Sequence, residues 1–156
     1  MHPEFAKAAE SLHPSFECLL AMEPAKNGKL PTDMPKEGVY LFSEGDRHLY
    51  VGRSNRLRGR YGGHCNPGAT HNTAAFAFKL AREATGNTEA TYKPGKGSRA
   101  GLMKDPEFAA AFDAAKARIR NMDYRYVKET NQIRQALLEM YCAIALGAPY
   151  NDFGTH

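Results

Sequence analysis

GVYLFSEGDRHLYVGRSNRLRGRYGGH, residues 38–64, is the stretch whose reading decides the fold. Its first half alternates. Val39 and Leu41 fall on one side of an extended chain and Tyr40 and Phe42 on the other, because successive strand side chains point to opposite faces. Glu44-Gly45-Asp46 is a turn signal, so His48 to Gly52 is expected to fold back antiparallel and bring Tyr40 and Tyr50 toward one edge of a small sheet. The spacing that follows is helical. Arg53, Arg60 and His64 stand seven and four residues apart, with Arg56 and Leu57 between, which puts them on one side of a short helix that Ser54 or Asn55 would cap. Gly59, Gly62 and Gly63 hold that helix to about two turns, since each costs roughly 1 kcal/mol against alanine in a helix interior. Tyrosines beside glycines on a hairpin, with arginines directly after them, suit a phosphodiester; the plainer reading of the basic run is a solvated loop.

A second informative stretch lies near the other end of the chain. From Ala136 to Ala148 every residue is apolar, aromatic, small or cysteine, except Glu139. A helix apolar on all sides is expected to be buried, and a buried carboxylate needs a partner because desolvating it costs several kcal/mol, of order. Either Glu139 pairs with an arginine such as Arg60 or Arg53, or the helix is less buried than its composition indicates.

Together the two stretches resemble the GIY-YIG family of nucleases. The resemblance rests on Gly38-Val39-Tyr40, on Tyr50-Val51-Gly52, on Arg60 ten residues after Tyr50, on Glu139 in a later helix, and on Asn151 just past Pro149-Tyr150. It covers Lys36 to Phe153 and is nearest to the N-terminal nuclease module of bacterial excision-repair proteins, where a basic residue also follows the second triplet, as Arg53 does here. His64 resembles the histidine of the restriction and homing branches. The resemblance implies a metal-dependent endonuclease that hydrolyses phosphodiester bonds in DNA. Glu139 would hold one Mg²⁺ or Mn²⁺ ion, a hard cation that binds through few carboxylates and keeps several waters. Tyr40 would take the proton of the attacking water, which a tyrosine of ordinary pKa near 10 does only if lowered or relayed. Tyr50 would position water or substrate, Arg60 would brace charge on the phosphate, and His64 would assist. Arg53 and Arg56 would contact the substrate, and Asn151 would order the site. The competing readings are a nucleic-acid-binding module that keeps the fold without cutting, and an RNA-processing nuclease.

Composition agrees with this reading. The chain has 156 residues, one domain's worth, with a formal net charge of +4 and a pI near 9.0 that suit a polyanionic partner. No apolar run is long enough to span a bilayer and the N-terminus is not a secretory leader, so no membrane partner is expected. Cys18, Cys65 and Cys142 form no CxxC pair and leave one over from any disulfide, which points to a reducing cytoplasm. His64, Cys65 and His71 lack a clear fourth ligand for zinc.

Elsewhere, Pro3 to Met22 reads as a helical extension broken at His13-Pro14, and Glu23 to Glu37, with three prolines, as a connection. The expected organisation is an N-terminal helical extension over 1–35, then the nuclease-like domain over 36–156 with an insertion at about 86–118. Asn72 to Thr85 reads as a helix stopped by Gly86, and Asp105 to Ile119 as another with Pro106 in its first turn. Between them, YKPGKGSRAGL reads as a basic loop whose Lys93, Lys96 and Arg99 would track a nucleic-acid backbone. Asp123 to Lys128 alternates like a third strand. The fold class is therefore α+β, a three-stranded, mainly antiparallel sheet flanked by helices. With no second domain evident, specificity would come from the insertion, a homodimer or a partner protein.

Overall fold

A computed structural model describes residues 1–87 and 98–154. These fall into two compact units, one of residues 1–58 and 122–156, the other of residues 59–121. The chain is α+β: among the described residues it forms seven helices and one three-stranded sheet.

The sheet belongs to the first unit. Strands β1 (Gly38–Glu44), β2 (Arg47–Ser54) and β3 (Asp123–Lys128) run in the order β2-β1-β3, each pair antiparallel. β2 is longer at both ends than expected, while β3 has the expected bounds. The hairpin turns at Gly45, whose φ of +58° is open to glycine and strained for most other residues. Register then sorts the side chains. Tyr40 lies opposite Gly52 and Tyr126, and Phe42 opposite Tyr50 and Tyr124, so one face of the sheet is aromatic. The Tyr40 and Tyr124 rings stack with centroids 5.7 Å apart and planes 9° apart.

The other face presents Val39, Leu41 and Val51, all fully buried, to helix α7 (Gln132–Leu146) and helix α2 (His13–Ala21), which contribute Leu138, Cys142 and Leu19 to the same cluster. Burying each such large aliphatic side chain is worth about 1.5–3 kcal/mol, which fixes the two helices on the sheet. α7 starts where Asn131 Oδ1 accepts the N–H groups of Ile133 and Arg134 at 3.1 and 3.0 Å, and stops at Gly147, whose φ is +60°. It is not buried all round as expected. Ile133 and Ile144 are 74% and 73% exposed, because a helix laid on one side of a sheet keeps a solvent face whatever its composition. The N-terminal break also differs: α1 (Pro3–Glu10) ends before Ser11-Leu12, and Pro14 sits in the first turn of α2, where its missing N–H costs nothing. Among the described residues no helix is long and apolar enough to cross a membrane.

The division between the units falls inside α3 (Leu57–Cys65). The second unit adds α4 (Ala75–Thr85), α5 (Arg99–Met103) and α6 (Pro106–Arg120), with α4 packed on α6. Phe78 of α4 meets Phe108 and Phe112 of α6 at 5.0 and 6.2 Å between ring centroids. α4 begins at Ala75 rather than Asn72, because the Thr70 carbonyl draws the N–H groups of Thr73 and Ala74 into a turn at 3.0 and 2.9 Å. α5 occupies the end of the stretch expected to be loop. Ser98 Oγ accepts the Gly101 N–H at 3.0 Å, a cap that outweighs the surrounding glycines. Lys93 and Lys96 lie outside the described residues.

Candidate functional site

Both tyrosine triplets owe their glycines to close packing. A Cβ on Gly38 would overlap the Val127 carbonyl oxygen, and one on Gly52 would overlap the Tyr40 ring and hydroxyl. The Tyr40 side chain therefore lies across β1 onto β2, with its hydroxyl over Gly52. It is only 2% exposed, whereas Tyr50 is half-buried, its ring centroid 6.4 Å from that of Tyr40.

Arg53 lies opposite Val39 in the register, so its side chain leaves β2 on the α7 side of the sheet. There Nε donates to Glu139 Oε2 at 3.1 Å and Nη1 to Gln135 Oε1 at 3.4 Å. Of the two partners left open for Glu139, the structure selects Arg53. The Glu139 side chain is 21% exposed. Burial pushes its carboxyl pKa up; the Arg53 charge and hydrogen bond pull it back without cancelling the rise. Gln135, one turn before Glu139 and buried, also donates to Asn55 Oδ1 and to the Glu129 carbonyl at 3.1 and 3.0 Å. Sequence reasoning missed it. Its four-residue spacing from Glu139 was the available signal.

Asn151 grips the outer edge of β2. Its Oδ1 accepts the Val51 N–H at 2.8 Å and its Nδ2 donates to the Val51 carbonyl at 2.7 Å, while the Tyr150 N–H donates to the Leu49 carbonyl at 3.2 Å. The amide thus does for Val51 what a fourth strand would do.

The register places Tyr40 and Tyr50 on one face of the sheet, and Arg53 with Glu139 on the other. Gly52, which lies under the Tyr40 hydroxyl, and Arg53 are consecutive residues of β2. Arg56 is exposed, its N–H donating to Ser54 Oγ at 2.9 Å.

Arg60 and His64 belong to the second unit. Arg60 Nη1 donates to the Thr73 carbonyl at 2.9 Å. His64 is fully buried, and burial, with the Arg60 charge adding to it, lowers its pKa well below 6.5, so it is neutral at neutral pH. Arg99 donates to the His71 carbonyl at 3.2 Å, with its guanidinium 5.1 Å from the centre of the Phe78 ring. Two of the cysteines are poor nucleophiles: burial raises the Cys65 thiol pKa and pushes that of Cys142 up to about 12.

Among the described residues no three His, Cys, Asp or Glu side chains are grouped to hold a metal. The donor set at Glu139 is a single carboxylate beside an arginine, which fits an ion that keeps most of its water and completes its shell with substrate phosphate.

No family model, curated protein or solved structure matches the chain. A functional reading therefore rests on these residues and their geometry.

Proposed function

We propose that the chain is a metal-dependent endonuclease that hydrolyses phosphodiester bonds in DNA, with Glu139 and the rim of β2 at its reaction centre. The observation that carries this reading is the Arg53–Glu139 pair: a lone carboxylate held at 3.1 Å from an arginine directly after the second tyrosine triplet, at a burial that costs the carboxylate more than the arginine returns. Such costs are characteristic of sites that await a further charge.

Glu139 would hold one Mg²⁺ or Mn²⁺. Bound there, the ion supplies Lewis-acid polarisation of the scissile phosphate. The chain's own residues do the rest. Arg53, 40% exposed at its side chain, favours the ionised form of Glu139 against the effect of burial and offers its guanidinium edge to a phosphate oxygen. Tyr40, its hydroxyl over Gly52, would accept the proton of the attacking water as the tyrosinate, becoming the neutral phenol, and Tyr50 would orient that water from the same face. Asn151 acts through Val51, keeping β2 in place at the rim. DNA as substrate is supported by the net charge of +4 and by the family resemblance.

A second reading has its own support. Tyr40 is almost wholly buried and stacked on Tyr124, which suits a packing role and hence a nucleic-acid-binding module that does not cut. Incubation of supercoiled plasmid with Mg²⁺ or Mn²⁺ separates the two. Nicking that disappears with EDTA and in Glu139→Gln is the expected result. Intact plasmid in every lane, together with retained DNA binding in a mobility-shift assay, would transfer the assignment to the binding module.

A further inference from the structure

Within the second unit, one loop collects three cations on its backbone carbonyls. Over Asn66 to Thr73, the carbonyls of Pro67 and Ala69 accept Lys116 Nζ at 2.7 and 2.8 Å, that of His71 accepts Arg99 Nη1 at 3.2 Å, and that of Thr73 accepts Arg60 Nη1 at 2.9 Å. The three do not play the same part. Lys116 is 4% exposed, is paired with Asp113 at 3.3 Å and lies over the Phe112 ring. A buried, neutralised ammonium that bonds two carbonyls is an anchor. It ties the loop to α6.

Arg60 and Arg99 sit on the same loop under different conditions. Arg99 is exposed and Arg60 partly so, and among the described residues neither has a carboxylate partner. A guanidinium has five N–H donors in a planar fork, and a single carbonyl takes one of them. The carbonyls that hold the two arginines are two residues apart, no more than about 7 Å along the chain. Stacking on Phe78 gives Arg99 a second restraint, so its orientation is largely set before any ligand arrives. Two pre-oriented guanidinium forks on one anchored loop, with no carboxylate partner among the described residues, match the planar, bidentate recognition of phosphate oxygens.

We propose that Arg60 and Arg99 form a two-guanidinium seat for the phosphodiester groups of a nucleic-acid strand, presented by the Asn66–Thr73 loop and anchored through Lys116. The proposal rests on the reading of nucleic acid as substrate and adds where a strand is gripped. Arg99 binds backbone in it and takes no part in bond cleavage.

The test is the salt dependence of binding, measured by fluorescence anisotropy of a labelled oligonucleotide with the full chain in EDTA. Arg99→Gln is expected to weaken binding about fivefold and to reduce the slope of log K against log[salt] by roughly 0.7–0.9, one phosphate contact. Arg99→Lys should keep the slope and recover only part of the affinity, because charge is retained and the fork is lost. Lys7→Gln, an exposed cation on α1, should leave the slope unchanged. Binding by the wild type with an unchanged slope in Arg99→Gln would overturn the seat while leaving the nuclease reading intact. No binding by the wild type would overturn both. Inorganic phosphate that displaces the oligonucleotide at fixed ionic strength, and does so less well with Arg99→Gln, would assign the seat to isolated phosphate and overturn the strand assignment.

Discussion

On one face of the sheet Val39, Leu41 and Val51 meet Leu138 and Cys142 of α7; on the other Tyr40, Phe42, Tyr50 and Tyr124 meet one another. The first face is held by aliphatic volume. Any set of side chains of similar size would fill it, because apolar burial is non-directional. The second depends on particular shapes: a ring stack, an edge-on phenylalanine, and a glycine whose missing Cβ lets Tyr40 cross onto β2. The contrast teaches why the two motif tyrosines stand on the shape-dependent aromatic face, while the aliphatic residues of the α7 face, beside the Arg53–Glu139 pair, show in the sequence only as a hydrophobic pattern.

Substitutions can break or sharpen this contrast. The largest effect is expected at Leu138, fully buried against the aliphatic face, where Leu138→Ala should cost about 2–5 kcal/mol in chemical denaturation and Leu138→Met less than about 1.5 kcal/mol. Equal losses from the two would show that the aliphatic face is as shape-specific as the aromatic one. Next comes Gly52→Ala. One methyl group there collides with the Tyr40 ring, so a loss of about 1–3 kcal/mol is expected, measured in the same way. A neutral result would mean that Tyr40 swings aside freely and the slot is not a constraint. Asn151→Ala removes both side-chain bonds to Val51 and should cost about 1 kcal/mol, with faster amide exchange at Val51 as the local signature.

The smallest effect has the opposite sign. Because folding raises the Glu139 pKa above 4.5, the folded chain binds that proton more tightly than the unfolded chain does. The stabilising contribution is thus present below about pH 4.5 and lost as pH rises through the folded value. Glu139→Gln should therefore melt no lower than the wild type at pH 7, and should show a flatter dependence of melting temperature on pH above 4.5. A marked destabilisation would show that the Arg53–Glu139 pair holds the fold together, and would weaken the case for Glu139 as a functional carboxylate.

Much of the fold was legible. The alternation of residues 39–42 and of Asp123 to Lys128 marked two strands, and Gly86 and Pro106 stand at helix ends where local cap chemistry puts them. Less was legible where two local signals competed. Ser98 capped a helix inside a glycine-rich run, and the Thr70 turn delayed α4 by three residues from Asn72 to Ala75. The face that α7 turns to solvent was hidden for another reason: Ile133 and Ile144 look like core residues in any pattern analysis, and only the position of the sheet shows that they are not.

By itself, the sequence determined the hairpin, the third strand, the stop of α4 and the start of α6, since each depends on alternation or on capping groups a few residues away. Only the tertiary structure decided that Arg53 pairs with Glu139, that Asn151 binds Val51, and that the tyrosines and Glu139 take opposite faces of the sheet. Those partners lie 86 and 100 residues apart, and a hydrogen bond formed over such a separation depends on how the elements pack rather than on any local preference of the residues that make it.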